Sequence, residues 1–153
     1  MRYLNLLLLA GVAAGCTVQA PSSDTPRAPV FINVTEPWPY PFSSAVRAGD
    51  FLFLSGQIGS AVVDGAPKLV SGGIEPETKQ TLDNIKAALT KAGSSMDRVV
   101  KCSVMMADMA EWPQMNTIYA SYFPGNKPAR SAWGATGLAL GARVEIECIA
   151  LAH

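Results

Sequence analysis

Histidine is almost missing from this chain of 153 residues: there is one, His153, at the very end. A terminal side chain frays and makes a poor holder of substrate or metal. Histidine-based triads and histidine-ligated zinc are thereby excluded. An excess of charge of either sign is missing too. Twelve Lys and Arg balance twelve Asp and Glu, and no basic block stands out, so broad attraction to nucleic acid has no footing. Cysteine is scarce, with Cys16, Cys102 and Cys148 showing no Cys-x-x-Cys spacing. No metal site is expected. The apolar run Leu6 to Ala10 is too short to span a bilayer as a helix.

What stands at the N-terminus is a charged tip, that short apolar run, and small residues leading to Ala14-Gly15-Cys16. This is the pattern of a secretory signal over residues 1–15. A cysteine directly after Ala-Gly resembles the bacterial lipoprotein box, in which Cys16 carries the lipid. Residues 16–37 read as the lipid attachment and a proline-rich tether unable to bury a core. Residues 38–153 make one small domain. The expected location is exported and periplasmic, touching the membrane only through the N-terminal lipid.

Within the domain, Ser44 to Ala48, Gly49-Asp50 and Phe51 to Ser55 read as a hairpin with a type II′ turn. Lys68 to Val70 adds a short strand. Pro76 suits the first position of a helix whose Leu82, Ile85, Leu89 and Ala92 share one face, with Gly93 as its stop. Val99 to Ala107 is a strand. Asp108 and Glu111 resemble a capping box before a helix running to Phe123, with Trp112, Met115, Tyr119 and Tyr122 along one side. Strands over 129–136 and 142–151 close the domain. The order predicts an α+β fold with helices packed on a single sheet. Cys102 and Cys148 lie in apolar strand-like runs and read as two small buried hydrophobes. A disulfide between them stays open, since sequence does not fix its geometry.

Two short strings carry the chemistry: Pro128-Ala129-Arg130-Ser131 and Val144-Glu145-Ile146-Glu147. Both fall in strand-like runs, so they can bring a guanidinium and a carboxylate into one cavity. That pair suits a small anionic substrate attacked by water, because arginine binds carboxylates through a planar fork of donors.

These strings, with Ala45 to Gly59, Gly73-Ile74-Glu75, Thr78, Gln80 and Asn84-Ile85, resemble the RidA/YjgF family of reactive-intermediate imine deaminases. The similarity covers about residues 38–152. The resemblance implies a chorismate-mutase-like fold, a homotrimer with sites between subunits, and hydrolysis of 2-imino or enamine acids to 2-oxo acids and ammonia without cofactor. It implies that Arg130 holds the substrate carboxylate, that Glu145 works on the water, and that Asn116, Ser55 and Gly56 line the cleft. The family's tyrosine before the first hairpin is Phe42 here, and the residue two after the arginine is Ala132 rather than cysteine. Two other functions stand beside this one: a non-catalytic module that binds small carboxylates or a partner, favoured by Phe42, and, ranked last, an endoribonuclease.

Overall fold

One long strand near the C-terminus organises the sheet. In this computed structural model, residues 28–35 and 39–152 are described. The signal segment, Cys16, most of the tether and His153 lie outside them. The elements are β1 (Val30–Ile32), β2 (Ala45–Ala48), β3 (Phe51–Leu54), β4 (Gln57–Ile58), β5 (Ser60–Val63), β6 (Ala66–Leu69), α1 (Ile74–Lys91), β7 (Val99–Met106), α2 (Trp112–Ser121), β8 (Ala129–Gly134) and β9 (Val144–Leu151). The main sheet runs β1-β2-β3-β9-β7-β8, with β4 also beside β9; β5 and β6 form a separate hairpin. β7 and β8 are parallel, which requires a crossover, and α2 supplies it. The fold is α+β, one mixed sheet with two main helices on one face, as the strand and helix patterns imply.

Alternation fixes the layers. Val144, Ile146, Cys148 and Ala150 of β9 are buried, as are Cys102, Val104 and Met106 of β7. They meet Leu82, Ile85, Ala88 and Leu89 of α1 and Met115 and Tyr119 of α2 in one core. The other face of the sheet is uncovered by any described element. It exposes Phe31 (69 %), Phe53 (46 %) and Trp133 (45 %).

α1 ends as its sequence implies. Gly93 has φ +78°, its N–H reaches the Thr90 carbonyl, and the Ser94 N–H reaches the Leu89 carbonyl, a paired closure that satisfies the last free carbonyls. It starts earlier than Pro76 suggests, at Ile74. Pro76 is tolerated in the first turn, where an N–H lacks an intrahelical partner anyway.

Three other features differ from the sequence reading. Val30-Phe31-Ile32 falls in the stretch read as tether, yet it pairs with β2 as the sheet edge. The run after Gly59 is a full hairpin, β5–β6, turned by Asp64 (φ +52°) and Gly65 (φ +77°), the twist favoured by two-residue loops. Cys102 and Cys148 are joined by a disulfide, their Cα atoms 4.1 Å apart, rather than being two separate thiols. The physical reason is register: the two residues stand directly opposite on adjacent antiparallel strands, the closest pairing a sheet provides.

Candidate functional site

Arg130 and Glu145 lie on opposite faces of the sheet within one chain. Arg130 pairs in register with Cys102, and Cys102 with Cys148, a row whose side chains face the helices. Glu145 pairs with Met105, and Met105 with Trp133, on the uncovered face. The expected meeting of guanidinium and carboxylate does not occur inside a single subunit. Strand parity is the cause, because residues an odd number of positions apart on β9 point to opposite sides.

Around the Arg130 guanidinium, α2 supplies three partners. The guanidinium NH2 donates to Asn116 Oδ1 at 2.8 Å. Its Cζ stands 4.5 Å from the ring centroid of Tyr119 and 5.1 Å from that of Trp112, within cation–π range. Among the described residues, the ion pairs are Lys68–Asp64, Lys79–Asp83 and Arg143–Glu111, so Arg130 has no carboxylate partner. Of the residues named from the sequence, the structure brings Arg130 and Asn116 together. It adds Trp112 and Tyr119, read there only as an aromatic helix side. Their spacing of four and then three residues, through Asn116, was the available signal.

Around Glu145, the chain narrows to glycine. A Cβ at Gly56 would stand 2.1 Å from Glu145 Oε1. Burial first, and the neighbouring Glu147 charge second, push the Glu145 carboxyl above its ordinary value. Ser55 does not aim a free hydroxyl into this space: its Oγ donates to the Ser43 carbonyl at 2.7 Å, while its N–H reaches the Ser44 carbonyl. Those bonds tie the 39–44 loop to the junction of β3 and β4. Phe42 sits on that loop, half exposed, stacked on Tyr40 with ring centroids 5.5 Å apart. Gly56 thus abuts the Glu145 side chain, and Phe42 rides on the loop that Ser55 secures.

A further hollow of about 150 Å³ lies on the uncovered face, lined by Phe53, Lys101, Ser103 and Glu147. Neither Arg130 nor Glu145 lines it. Beside it Lys101 Nζ donates to Ser131 Oγ at 2.8 Å. Among the described residues no group of three or more His, Cys, Asp or Glu side chains is placed to hold a metal ion.

Residues 36–152 match the family model described as endoribonuclease L-PSP. The chain belongs to this family, the RidA/YjgF proteins. It is 42% identical over 110 residues to the chloroplastic Reactive Intermediate Deaminase A of Arabidopsis thaliana. That match covers 72% of this chain but only 58% of the longer plant protein. The mouse protein named 2-iminobutanoate/2-iminopropanoate deaminase is 42% identical over 111 residues, covering 72% of this chain and 81% of its own. Among solved structures, the RidA-type fold is shared with YEO7 from yeast at TM-score 0.73 and 36% identity, over 81% of this chain and 98% of that one.

Proposed function

We propose that this RidA-family chain hydrolyses 2-imino or enamine acids to 2-oxo acids and ammonia, and that it works as a homotrimer. The observation that carries the reading is the guanidinium of Arg130, held by Asn116 and making no ion pair among the described residues. The names of its deaminase relatives support the same chemistry.

Arg130 takes the substrate carboxylate through paired charge-assisted hydrogen bonds. Glu145, ionised, accepts a proton from water as the water oxygen bonds to the imine carbon. The nitrogen gains a proton, giving a carbinolamine. The C–N bond then breaks, the hydroxyl becomes the carbonyl, and ammonia leaves. Imine and water in, oxo acid and ammonia out: the atoms balance without a cofactor. A raised pKa suits Glu145 to the role, because a base works best when its pKa approaches the working pH.

The split between faces supplies the argument for more than one copy. Arg130 and Glu145 can serve one substrate only if the uncovered sheet face of one subunit meets the helix-side rim of another. That face exposes the apolar side chains an association surface needs, Phe31, Phe53 and Trp133 among them. The further reading that the protein is exported and lipid-anchored at Cys16 rests on its N-terminal sequence. Mass spectrometry of the mature N-terminus tests it, and an unmodified first residue other than Cys16 would refute it.

The enzymatic reading is tested by supplying freshly generated 2-aminoacrylate or 2-iminobutanoate and following the 2-oxo acid. The protein should outpace buffer, and Arg130→Ala should lower kcat/KM about 10²-fold, the scale of a lost charged anchor. Turnover no faster than buffer across several side chains would end it. A second reading, carboxylate binding without catalysis, is favoured by the phenyl ring of Phe42 where the family resemblance implies a tyrosine hydroxyl. Binding of 2-oxo acids that depends on Arg130, with no turnover by the parent protein, would select it.

A further inference from the structure

Among the described residues, Arg130 is restrained on several sides without an ion-pair partner. Asn116 accepts from its NH2 group, and the rings of Tyr119 and Trp112 stand over the guanidinium. All three residues project from one face of α2, and all three are neutral. The carboxylate next to them in sequence, Glu111, is engaged by Arg143 instead. An acid in this position would hold the guanidinium as firmly, but it would occupy the charge that an incoming anion must find.

Tyr119 shows which part of its side chain matters. The residue is 5 % exposed, and its hydroxyl has no hydrogen-bond partner among the described residues. An unpaired buried hydroxyl is a cost to the fold, so what the fold uses is the ring. Burial pushes the phenol up to about 12, with the Arg130 charge pulling it the other way. The ring therefore stays neutral at ordinary pH. Asn116 adds an orientation effect. A guanidinium has donors only, so the amide must turn Oδ1 toward it. Nδ2 is then left as a donor beside the remaining guanidinium N–H groups.

We propose that Trp112 and Tyr119 are positioning residues, a neutral aromatic clamp that fixes the Arg130 guanidinium while leaving its positive charge available to a substrate carboxylate. The clamp deepens the assignment of Arg130 as carboxylate anchor and rests on it.

Calorimetric titration of the full chain with 2-oxobutanoate, a carboxylate with no imine to hydrolyse, separates the two. Trp112→Leu and Tyr119→Leu should each weaken binding about three- to tenfold, the scale of a lost ring–cation contact. Tyr119→Phe, which restores the ring, should bind within about twofold of the parent. Asn116→Asp keeps an acceptor but adds a charge, and should weaken binding more than about tenfold because the guanidinium becomes paired. In turnover, the leucine variants should raise KM more than they lower kcat. By NMR, the Arg130 Nε–H resonance should lose its ring-current shift in the leucine variants and keep it in Tyr119→Phe. A parent that does not bind 2-oxobutanoate overturns the anchor assignment and the clamp with it. A parent that binds, with leucine variants that bind equally well, overturns the clamp alone. If the leucine variants do not fold, Asn116→Asp decides: parent-like affinity in that variant overturns the proposal.

Discussion

Gly56 and Glu145 compete for the same space. A methyl group at position 56 would stand 2.1 Å from Glu145 Oε1 and 3.0 Å from its Cδ. The obstructed atoms are the far end of a flexible side chain, so the carboxylate can swing away at little cost to the fold. Gly56→Ala should therefore fold normally, with Tm within a few degrees of the parent, but hold Glu145 out of place. Misplacing a reacting group by about 1 Å can cost on the order of 10² in rate. Deaminase kcat should fall by that order while 2-oxobutanoate affinity, which depends on Arg130 on the other face, stays near the parent's. Loss of both in parallel would mean that the glycine serves the fold rather than the acid.

The elevated Glu145 pKa links activity to stability with opposite signs. Burial and the Glu147 charge both favour the protonated acid in the folded protein. The folded state then binds more protons than the unfolded state between the two pKa values. This contribution to stability is present below the unfolded pKa and is lost as pH rises through the folded one. Catalysis needs the ionised form and gains where stability loses. Glu145→Gln should lower kcat about 10²–10⁴-fold, the usual scale of positioned proton transfer. It should also raise Tm at pH 7, with the difference shrinking toward pH 4. Glu147→Gln, by removing the like charge, should move the acid limb of the kcat profile to lower pH. An unmoved limb would assign that titration to another group.

Much of this architecture was legible because apolar spacing dictated it. Leu82, Ile85 and Leu89 define one face of α1, and the alternation through Val144, Ile146 and Cys148 defines β9. Other parts depend on partners that the local sequence does not name. Val30-Phe31-Ile32 is too short to announce a strand and becomes one because β2 offers it an edge. Gln57-Ile58 pairs with β9, with Gly56 lying close against the Glu145 side chain at the start of that pairing. Arg130 and Glu145 were legible as a chemical pair but not as opposite-facing residues. That fact requires the register of β8 on β7 and of β7 on β9, which no single segment contains. Trp112 and Tyr119 looked like packing because their shared cation lies on β8, outside their own helix.

The disulfide between Cys102 and Cys148 closes a segment 46 residues apart in sequence. Restricting the unfolded chain over such a loop stabilises a fold by about 4 kcal/mol in the chain-entropy account, with measured values often smaller. Protein purified without reductant should show no reactive thiol at either position when denatured. Cys102→Ala with Cys148→Ala should lower Tm by roughly 10 °C or more, the shift that several kcal/mol produces in a domain of this size. Free thiols at both positions in the native protein would show that the bond is not formed.

The separation of Arg130 from Glu145 makes one further result unavoidable if the site is shared between copies. Arg130→Ala subunits keep the acid and lack the anchor; Glu145→Gln subunits keep the anchor and lack the acid. Each homotrimer is then inactive at every site. In a heterologous ring, each site takes one group from each of two neighbours. Unfolding the two variants together in equal amounts and refolding them scrambles the subunits. A site is complete when a Glu145→Gln subunit provides Arg130 and its neighbour on the correct side provides Glu145, which random assortment achieves at about a quarter of sites. Activity should therefore climb from near zero to about that fraction of the parent's, and mixing without unfolding should leave it low until subunits exchange. A site built within one chain admits no such rescue, because no subunit in the mixture carries both groups. Persistently inactive mixtures, with heterotrimers verified by native mass spectrometry, would place the two groups in separate functions and leave Arg130 as a binding residue alone.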